Sequence, residues 1–158
     1  MKLLIQRVTH ASVEVDGNTV GKIDTGLLVF MGCRAGDTVA DVDYLVEKLL
    51  ALRIFEDADR RMNCSVQDIG GTVLVVSQFT LYADTRKGNR PGFSLSGDPD
   101  TAKRLYEHGL EKVRGALGAE RTAAGIFGAD MRVSLLNDGP VTIELCSDAK
   151  FPKGNCNQ

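Results

Sequence analysis

The order in which strand-like and helix-like stretches follow one another constrains the fold of this chain more than any other feature. Alternating or β-branched stretches fill the first third, and a helical stretch, one strongly apolar stretch, a second helical stretch and two strand-like stretches follow. The regular strand–helix alternation of a doubly wound parallel sheet is missing. The order therefore predicts an α/β domain of the α+β kind, compact and barrel-like, with a mixed or antiparallel sheet and two main helices.

One of the strand-like stretches is the most apolar part of the chain. Residues 72–81 are predicted to form the central strand, because strands covered on both faces are continuously apolar. The pair Asp16-Gly17 lies between two β-branched runs and predicts a hairpin turn. The other strands are predicted at residues 3–9, 12–15, 20–23, 26–32, 131–136 and 141–146.

Apolar residues recur at helical spacing in two stretches. The first helix is predicted to begin after Asp37 or Thr38, either of which can cap a helix. The second is predicted over residues 99–117, with Asp98 as its N-cap. Pro99 then occupies the first helical position, where proline is favoured.

Length and charge limit the classes of protein that fit. The 158 residues, 43% of them hydrophobic and 25% charged, predict one globular domain that folds without disulfides. The formal net charge of −2 excludes a protein that coats nucleic acid by bulk charge, so any such contact must use a local patch. The domain is predicted to span residues 1–146, with a flexible C-terminal tail at residues 147–158.

The cysteines and histidines predict neither disulfides nor a metal site. The cysteines form no CxxC pair, and we expect no signal peptide and no membrane span. They are interpreted as small hydrophobic residues in a reducing compartment, which predicts a cytoplasmic protein. His10 and His108 are interpreted as surface residues. The cysteines are Cys33, Cys64, Cys146 and Cys156.

The sequence contains no obvious activated nucleophile. No Gly-x-Ser-x-Gly elbow surrounds Ser77, and no phosphate-binding loop is present. A Ser-His-Asp relay would have to use one of the two surface histidines. A hydrolase of this sequence must therefore position its substrate, stabilise an oxyanion, or borrow a group from the substrate.

Polar residues at the end of the central strand are the first candidate site. The polar residues are Ser77, Gln78 and Thr80, and Phe79 between them completes the candidate site. Polar residues in this place are common in active sites and equally common at ordinary strand ends. Strand geometry predicts that Ser77 and Phe79 face one way and that Gln78 and Thr80 face the other.

Two further segments are candidates for ligand contact. Gly139-Pro140 is interpreted either as part of a hairpin turn or as a rigid pair of carbonyls, rigid if the bond is cis, that bind an amino group and block a side chain of the wrong hand. The long polar loop at residues 83–97 indicates function or disorder. Its cations suit phosphate contact, although a solvated surface loop explains them equally. These cations are Arg86, Lys87 and Arg90.

Taken together, these segments resemble the D-aminoacyl-tRNA deacylase family. The similarity runs from Ile5-Gln6-Arg7-Val8 to about residue 146, and the two signature motifs, SQFTL at 77–81 and NDGPVT at 137–142, are complete. One departure is Gly92, where the family more often has serine, which removes only a loop hydroxyl.

The resemblance implies a homodimer with its active sites at the interface. It implies that Gly139-Pro140 is cis and reaches into the pocket of the partner subunit, where its carbonyls meet the substrate amino group and an L side chain clashes. It implies that Arg7 holds this motif in place across the interface. The residues implied to line the pocket are Ser77, Gln78 and Phe79, and no metal or organic cofactor is implied.

The resemblance leaves two mechanisms open for Thr80. It has been interpreted in this family as a nucleophile, whereas a second interpretation assigns activation of water to the terminal ribose hydroxyl of the tRNA. A threonine hydroxyl without a base is a poor nucleophile at neutral pH. We therefore expect an orienting role for Thr80, with the backbone near Phe79 and Thr80 stabilising the oxyanion.

Three functions follow as hypotheses. The first is hydrolysis of the ester of D-aminoacyl-tRNA, and of glycyl-tRNA because glycine has no side chain to reject. The second is a non-catalytic dimeric module that binds a nucleic-acid end, which the absence of a histidine base favours. The third is a hydrolase of small D-amino-acid esters or amides, against which the cationic loop argues.

Overall fold

The structure, a computed structural model, describes residues 1–152, and in that part of the chain eight strands combine with two α-helices. Three 3-10 turns, at Phe79–Tyr82, Ala119–Arg121 and Ser147–Ala149, complete the regular structure of the described residues. The helices are α1 (Val39–Ala51) and α2 (Pro99–Leu117). The strands are β1 (Lys2–Val15), β2 (Asn18–Ile23), β3 (Gly26–Gly32), β4 (Phe55–Glu56), β5 (Met62–Cys64), β6 (Thr72–Ser77), β7 (Thr122–Ala124) and β8 (Arg132–Cys146).

The main sheet is mixed and nearly closed, as the order of patterns predicts. Its strand order is β2-β1-β3-β6-β7, with β8 paired to the other edge of β1. Strand β1 is antiparallel to β2, β3 and β8, whereas β3–β6 and β6–β7 are parallel. The two strands predicted at residues 3–9 and 12–15 are one strand, because pairing with β8 continues on both sides of the junction at His10 and Ala11.

Both faces of the parallel strands are covered, which explains their continuous apolar sequence. Leu27 and Val29 of β3 belong to the larger core cluster, which packs against both helices. Leu28, between them, belongs to the second cluster on the opposite face. Strand β6 alternates in the same way, with Val73 in the first cluster and Leu74 in the second.

The helix boundaries follow their caps. Helix α2 begins at Pro99, and the Asp98 carboxylate accepts a hydrogen bond from the Thr101 N–H at 2.9 Å, as predicted. Helix α1 is capped by Thr38 in a capping box. Asp37, the other predicted cap, instead binds the buried N-terminal ammonium of Met1 at 2.8 Å.

Strand β8 is continuous, so the prediction of two strands joined by a hairpin turn is wrong. Residues 142–146 pair with one end of β1 and residues 132–137 pair with the rest of it. On β1 the partner changes from Thr142 at Gln6 to Asn137 at Val8. The intervening residues, 138–141, therefore bulge out of the strand, because β1 has only Arg7 opposite these four residues.

Ordered structure continues past Cys146, the predicted end of the domain. Ser147 is buried, and its Oγ accepts from the Met1 ammonium at 2.8 Å and donates to Asp41 Oδ1 at 2.6 Å. The Phe151 ring packs edge-on against Tyr44 of α1. Residues 153–158 of the predicted flexible tail lie outside the described residues.

Candidate active site

The SQFT motif leaves the sheet earlier than predicted. Strand β6 ends at Ser77, and Phe79–Tyr82 form a 3-10 turn, so the predicted alternation of faces within the motif is wrong. The Gln78 N–H still donates to the Met31 carbonyl of β3 at 2.8 Å, which ties the start of the turn to the sheet. The turn brings Ser77, Gln78 and Phe79 to the wall of one cavity.

Two neighbouring segments hold this turn in place. Gly32 of β3 leaves room for it, because a Cβ at that position would lie 2.9 Å from the Gln78 carbonyl oxygen. The Ser96 hydroxyl donates to the Phe79 carbonyl at 3.2 Å. The Phe79 and Phe93 rings pack edge to face with centroids 5.0 Å apart. The long loop therefore supports the motif directly.

The cavity beside the motif has a volume of about 520 Å³ and is mostly apolar. That volume lies in the range of small-molecule sites, roughly 300–1,000 Å³. Its wall combines the motif with the start of α2 and the segment before β8. The residues that form it include Ser77, Gln78, Phe79, Ser96, Tyr106 and Met131.

No activated nucleophile faces this cavity in the part of the chain that the structure describes. Burial raises the pKa of the Cys33 thiol to about 12, so this cavity-lining cysteine is a neutral thiol at pH 7. Burial likewise raises the pKa of Tyr106 to about 12, and its hydroxyl donates to the Val75 carbonyl at 3.0 Å. His10 is exposed, and His108 pairs with Asp43 at 2.8 Å on the helix surface.

Thr80 has an amide partner where a nucleophile would need a base. The Gln78 side-chain N–H donates to the Thr80 hydroxyl oxygen. An amide has no basic lone pair at neutral pH, so it orients the hydroxyl without removing its proton. This contact favours the orienting role over the nucleophilic one.

The Gly139-Pro140 peptide bond is cis, and Arg7 supports the bulge that carries it. Arg7 is buried, and its Nε donates to the Asp138 carbonyl at 3.2 Å while Nη1 donates to the Ile54 carbonyl at 2.6 Å. Gly139 has a φ of +111°, and a Cβ there would lie 2.5 Å from Arg7 Nη2, so only glycine fits. Arg7 contacts the motif of its own chain.

The bulge is not part of the cavity wall within one chain. Gly139 and Pro140 are exposed, and neither is among the described residues that line the cavity. Leu136, next to the bulge on β8, is 54% exposed, although it is a large apolar residue. Within a single chain, the bulge and the cavity are therefore separate features.

The three predicted phosphate-binding cations differ in their surroundings. Arg86 is neutralised by Asp84, with Nη2 2.6 Å from Oδ2 and Nε 2.8 Å from Oδ1. The Arg86 guanidinium beside it holds the pKa of Asp84 well below its usual range. Lys87 and Arg90 are exposed and form no ion pair within residues 1–152. Arg86 thus braces the loop, and the other two cations face solvent.

Clustered metal ligands and membrane-spanning helices are both absent from residues 1–152. No group of three or more His, Cys, Asp and Glu side chains among them is arranged to hold a metal ion. No helix among them is long and apolar enough to cross a membrane.

Sequence reasoning missed Ser96 and Tyr106 as cavity-lining residues and Phe93 as the packing partner of Phe79. Each lies between predicted elements or on a helix face, and no local pattern distinguishes it. The length of the polar loop was the available signal, because long ordered loops carry function.

Comparisons with known proteins agree with the motifs. The family model for D-Tyr-tRNA(Tyr) deacylase matches residues 4–146. Two relatives from strains of Desulfitobacterium hafniense (DSM 10664 / DCB-2 and Y51), each named D-aminoacyl-tRNA deacylase, are 50% identical over 152 residues, 96% of this chain and 100% of theirs.

Solved structures share the same fold. The c-Myc DNA unwinding element binding protein superposes with a TM-score of 0.87 at 42% identity, over 92% of this chain and 97% of that one. A probable eukaryotic D-amino acid tRNA deacylase gives 0.80 at 18% identity, over 91% and 97%, which shows the fold alone. One signature motif lines the cavity and the other forms the bulge, and the family model and the relatives match nearly the whole chain. The chain therefore belongs to the D-Tyr-tRNA(Tyr) deacylase family and is a hydrolase.

Proposed function

We propose that this enzyme hydrolyses the ester that joins a D-amino acid, or glycine, to the 3′ end of tRNA. The observation that carries the proposal is the mostly apolar cavity lined by Ser77, Gln78 and Phe79, in whose wall no activated nucleophile lies among the described residues. Its volume suits the aminoacylated terminal nucleoside of a tRNA. A site of this kind positions a substrate that brings its own reactive hydroxyl.

The reaction needs only groups that the substrate and the backbone supply. The water oxygen bonds to the carbonyl carbon and the ester C–O bond breaks. One proton of the water passes to the leaving ribose oxygen, and the other is released to solvent as the carboxylate forms. The neighbouring ribose hydroxyl orients the water. The first N–H groups of the 3-10 turn, at Phe79 and Thr80, have no partner within the turn and stabilise the oxyanion.

Chiral selection requires a second copy of the chain. The bulge at Gly139-Pro140 projects from β8 and does not line the cavity of its own chain, so in a homodimer it enters the cavity of the partner. Its carbonyls then bind the substrate amino group and leave no space for an L side chain. Leu136 beside the bulge supplies exposed apolar surface for that contact.

The tRNA body contacts the loop at residues 83–97. Lys87 and Arg90 bind phosphates, while Arg86 acts through Asp84 to shape the loop. A patch of this kind is compatible with a net charge of −2. The substrate is made in the cytoplasm, where we place the enzyme.

The test is hydrolysis of D-tyrosyl-tRNA and L-tyrosyl-tRNA by the purified protein without added metal. We expect rapid loss of the D ester alone, with glycyl-tRNA also hydrolysed. No hydrolysis of any ester by a folded dimer would favour the binding module. Equal hydrolysis of the D and L esters would contradict selection by exclusion.

Replacing Thr80 with alanine is expected to retain activity within about tenfold of the wild type, because the hydroxyl only orients a neighbour. Thr80→Ser, which keeps the hydroxyl, is the matched control and should be closer to the wild type. Single-turnover hydrolysis of D-tyrosyl-tRNA measures both. A loss of a thousandfold or so in a folded Thr80→Ala variant, with Thr80→Ser active, would instead identify Thr80 as the nucleophile.

A hydrolase of small D-amino-acid esters is the second candidate, because the cavity is large enough to hold such an ester without the rest of a tRNA. It predicts equal kcat/KM for D-tyrosyl-tRNA and for the D-tyrosyl ester of adenosine. The solvent-facing Lys87 and Arg90 at the loop favour the tRNA substrate.

A further inference from the structure

An exposed pair of aromatic side chains stands at the rim of the cavity. Phe79 is 57% exposed and Phe93 is 38% exposed, although both are large and apolar. Their rings pack edge to face, at an interplanar angle of 67°. Phe79 also lines the cavity, so the pair lies where a bound molecule leaves it. Aromatic rings left open to solvent at the mouth of a site indicate a flat, apolar ligand.

Positive charge lies in the same loop as Phe93. Lys87 and Arg90 face solvent and form no ion pair in the part of the chain that the structure describes. Asp84 pairs with Arg86 through both of its oxygens and also interacts with the charge of Lys87. It is the only acidic residue of the loop at residues 83–97, which has three cations, so the loop keeps an excess of positive charge. Aromatic rings beside free cations are the features with which proteins bind unpaired nucleotides, the rings stacking bases and the cations binding phosphates.

We propose that Phe79 and Phe93 stack the nucleobase that precedes the aminoacylated nucleotide. Lys87 and Arg90 then bind the phosphates on the side of that nucleobase that faces away from the aminoacylated nucleotide. This subsite rests on the proposed function, because it assumes that the cavity holds the terminal nucleoside. The strand then has to pass the rim as it leaves the cavity. Stacking accepts any base, since every base has an aromatic face.

The loop that carries Phe93 and the turn that carries Phe79 are held in place by hydrogen bonds that need no ligand. The N–H and C=O groups of Asp84 and Gly92 bond to each other at 2.7 and 2.9 Å and close the cationic loop immediately before Phe93. The Ser96 hydroxyl donates a hydrogen bond to the Phe79 carbonyl at 3.2 Å. Removing the Phe93 ring therefore leaves the backbone at Phe79 anchored, which separates a loss of stacking from damage to the motif.

The experiment uses a tRNA acceptor-stem hairpin with 2-aminopurine as its penultimate base and a D-tyrosyl group joined by a non-hydrolysable amide. Stacking on an aromatic ring quenches 2-aminopurine fluorescence. We expect the wild type to quench it, Phe93→Ala to abolish the quenching and weaken binding about tenfold, and Phe93→Tyr to restore both.

A second measurement compares two substrates. Phe93→Ala should lower kcat/KM about tenfold for D-tyrosyl-tRNA but less than about twofold for the D-tyrosyl ester of adenosine, which has no penultimate base. An equal loss on both substrates would overturn the proposal and make Phe93 a support for Phe79. The proposal would also be overturned if Phe93→Ala quenched the 2-aminopurine fluorescence as strongly as the wild type does. It would be overturned as well if the substitution changed only the dissociation constant of the dimer. If the wild type hydrolyses neither ester, the proposed function itself fails.

Discussion

Replacing Arg7 with alanine is expected to reduce the preference for D-tyrosyl-tRNA over L-tyrosyl-tRNA by roughly a hundredfold. Arg7 holds the Gly139-Pro140 bulge by donating to the Asp138 carbonyl, and it is anchored itself by the Ile54 carbonyl. Without the guanidinium, the bulge loses its support, and the carbonyls that we propose to exclude L side chains move. Hydrolysis of the two esters, measured in parallel at equal enzyme concentration, gives the ratio.

Two control variants separate this effect from unfolding. Arg7→Lys keeps the charge, but an ammonium cannot span the Ile54 and Asp138 carbonyls in the same way, so selectivity should fall here too. Asp138→Ala removes only the exposed carboxylate, 3.1 Å from Arg7 Nε, and keeps the backbone acceptor. Its selectivity should stay within about threefold of the wild type. A folded Arg7→Ala dimer with unchanged selectivity would remove Arg7 from the mechanism.

Replacing Gly26 with alanine is expected to destabilise the fold by on the order of 4 kcal/mol or more. Gly26 begins β3 opposite Thr72 of β6, and a Cβ there would lie 1.8 Å from the Thr72 carbonyl oxygen. The obstacle is backbone, which cannot rotate away as a side chain can, so the parallel pair has to separate. Urea unfolding of the two proteins measures the difference.

Gly115→Ala is the matched control for that substitution. Gly115 is exposed within α2, and a Cβ there meets nothing within 4 Å. The same added methyl group should stabilise the protein by about 0.5–1 kcal/mol, because alanine is the better helix former. The free energy of unfolding is therefore expected to fall for Gly26→Ala and to rise for Gly115→Ala. A stability loss below about 1 kcal/mol for Gly26→Ala would show that the strands have room to part.

The sequence by itself determined the features that depend on neighbouring residues. Asp98 and Pro99 mark the start of α2, and the observed helix has the predicted limits. Asp16 and Gly17 form the predicted hairpin turn with positive φ values of 50° and 77°. Caps and turns act over a few residues, so their signals are complete within a short window. Each of the two family motifs is likewise one unbroken stretch of residues, so both can be recognised from the sequence alone.

Only the tertiary structure decided how those motifs meet the rest of the chain. The NDGPVT segment has the local pattern of a hairpin turn, but β1 pairs with both of its flanks and makes it a bulge. The support of the Gly139 bulge by Arg7, the bond from Ser96 to the Phe79 carbonyl, and the packing of Phe93 against Phe79 join segments far apart in the chain. Such contacts depend on which strands pair and on which part of the structure a loop packs against. A pattern within a short stretch of sequence specifies neither.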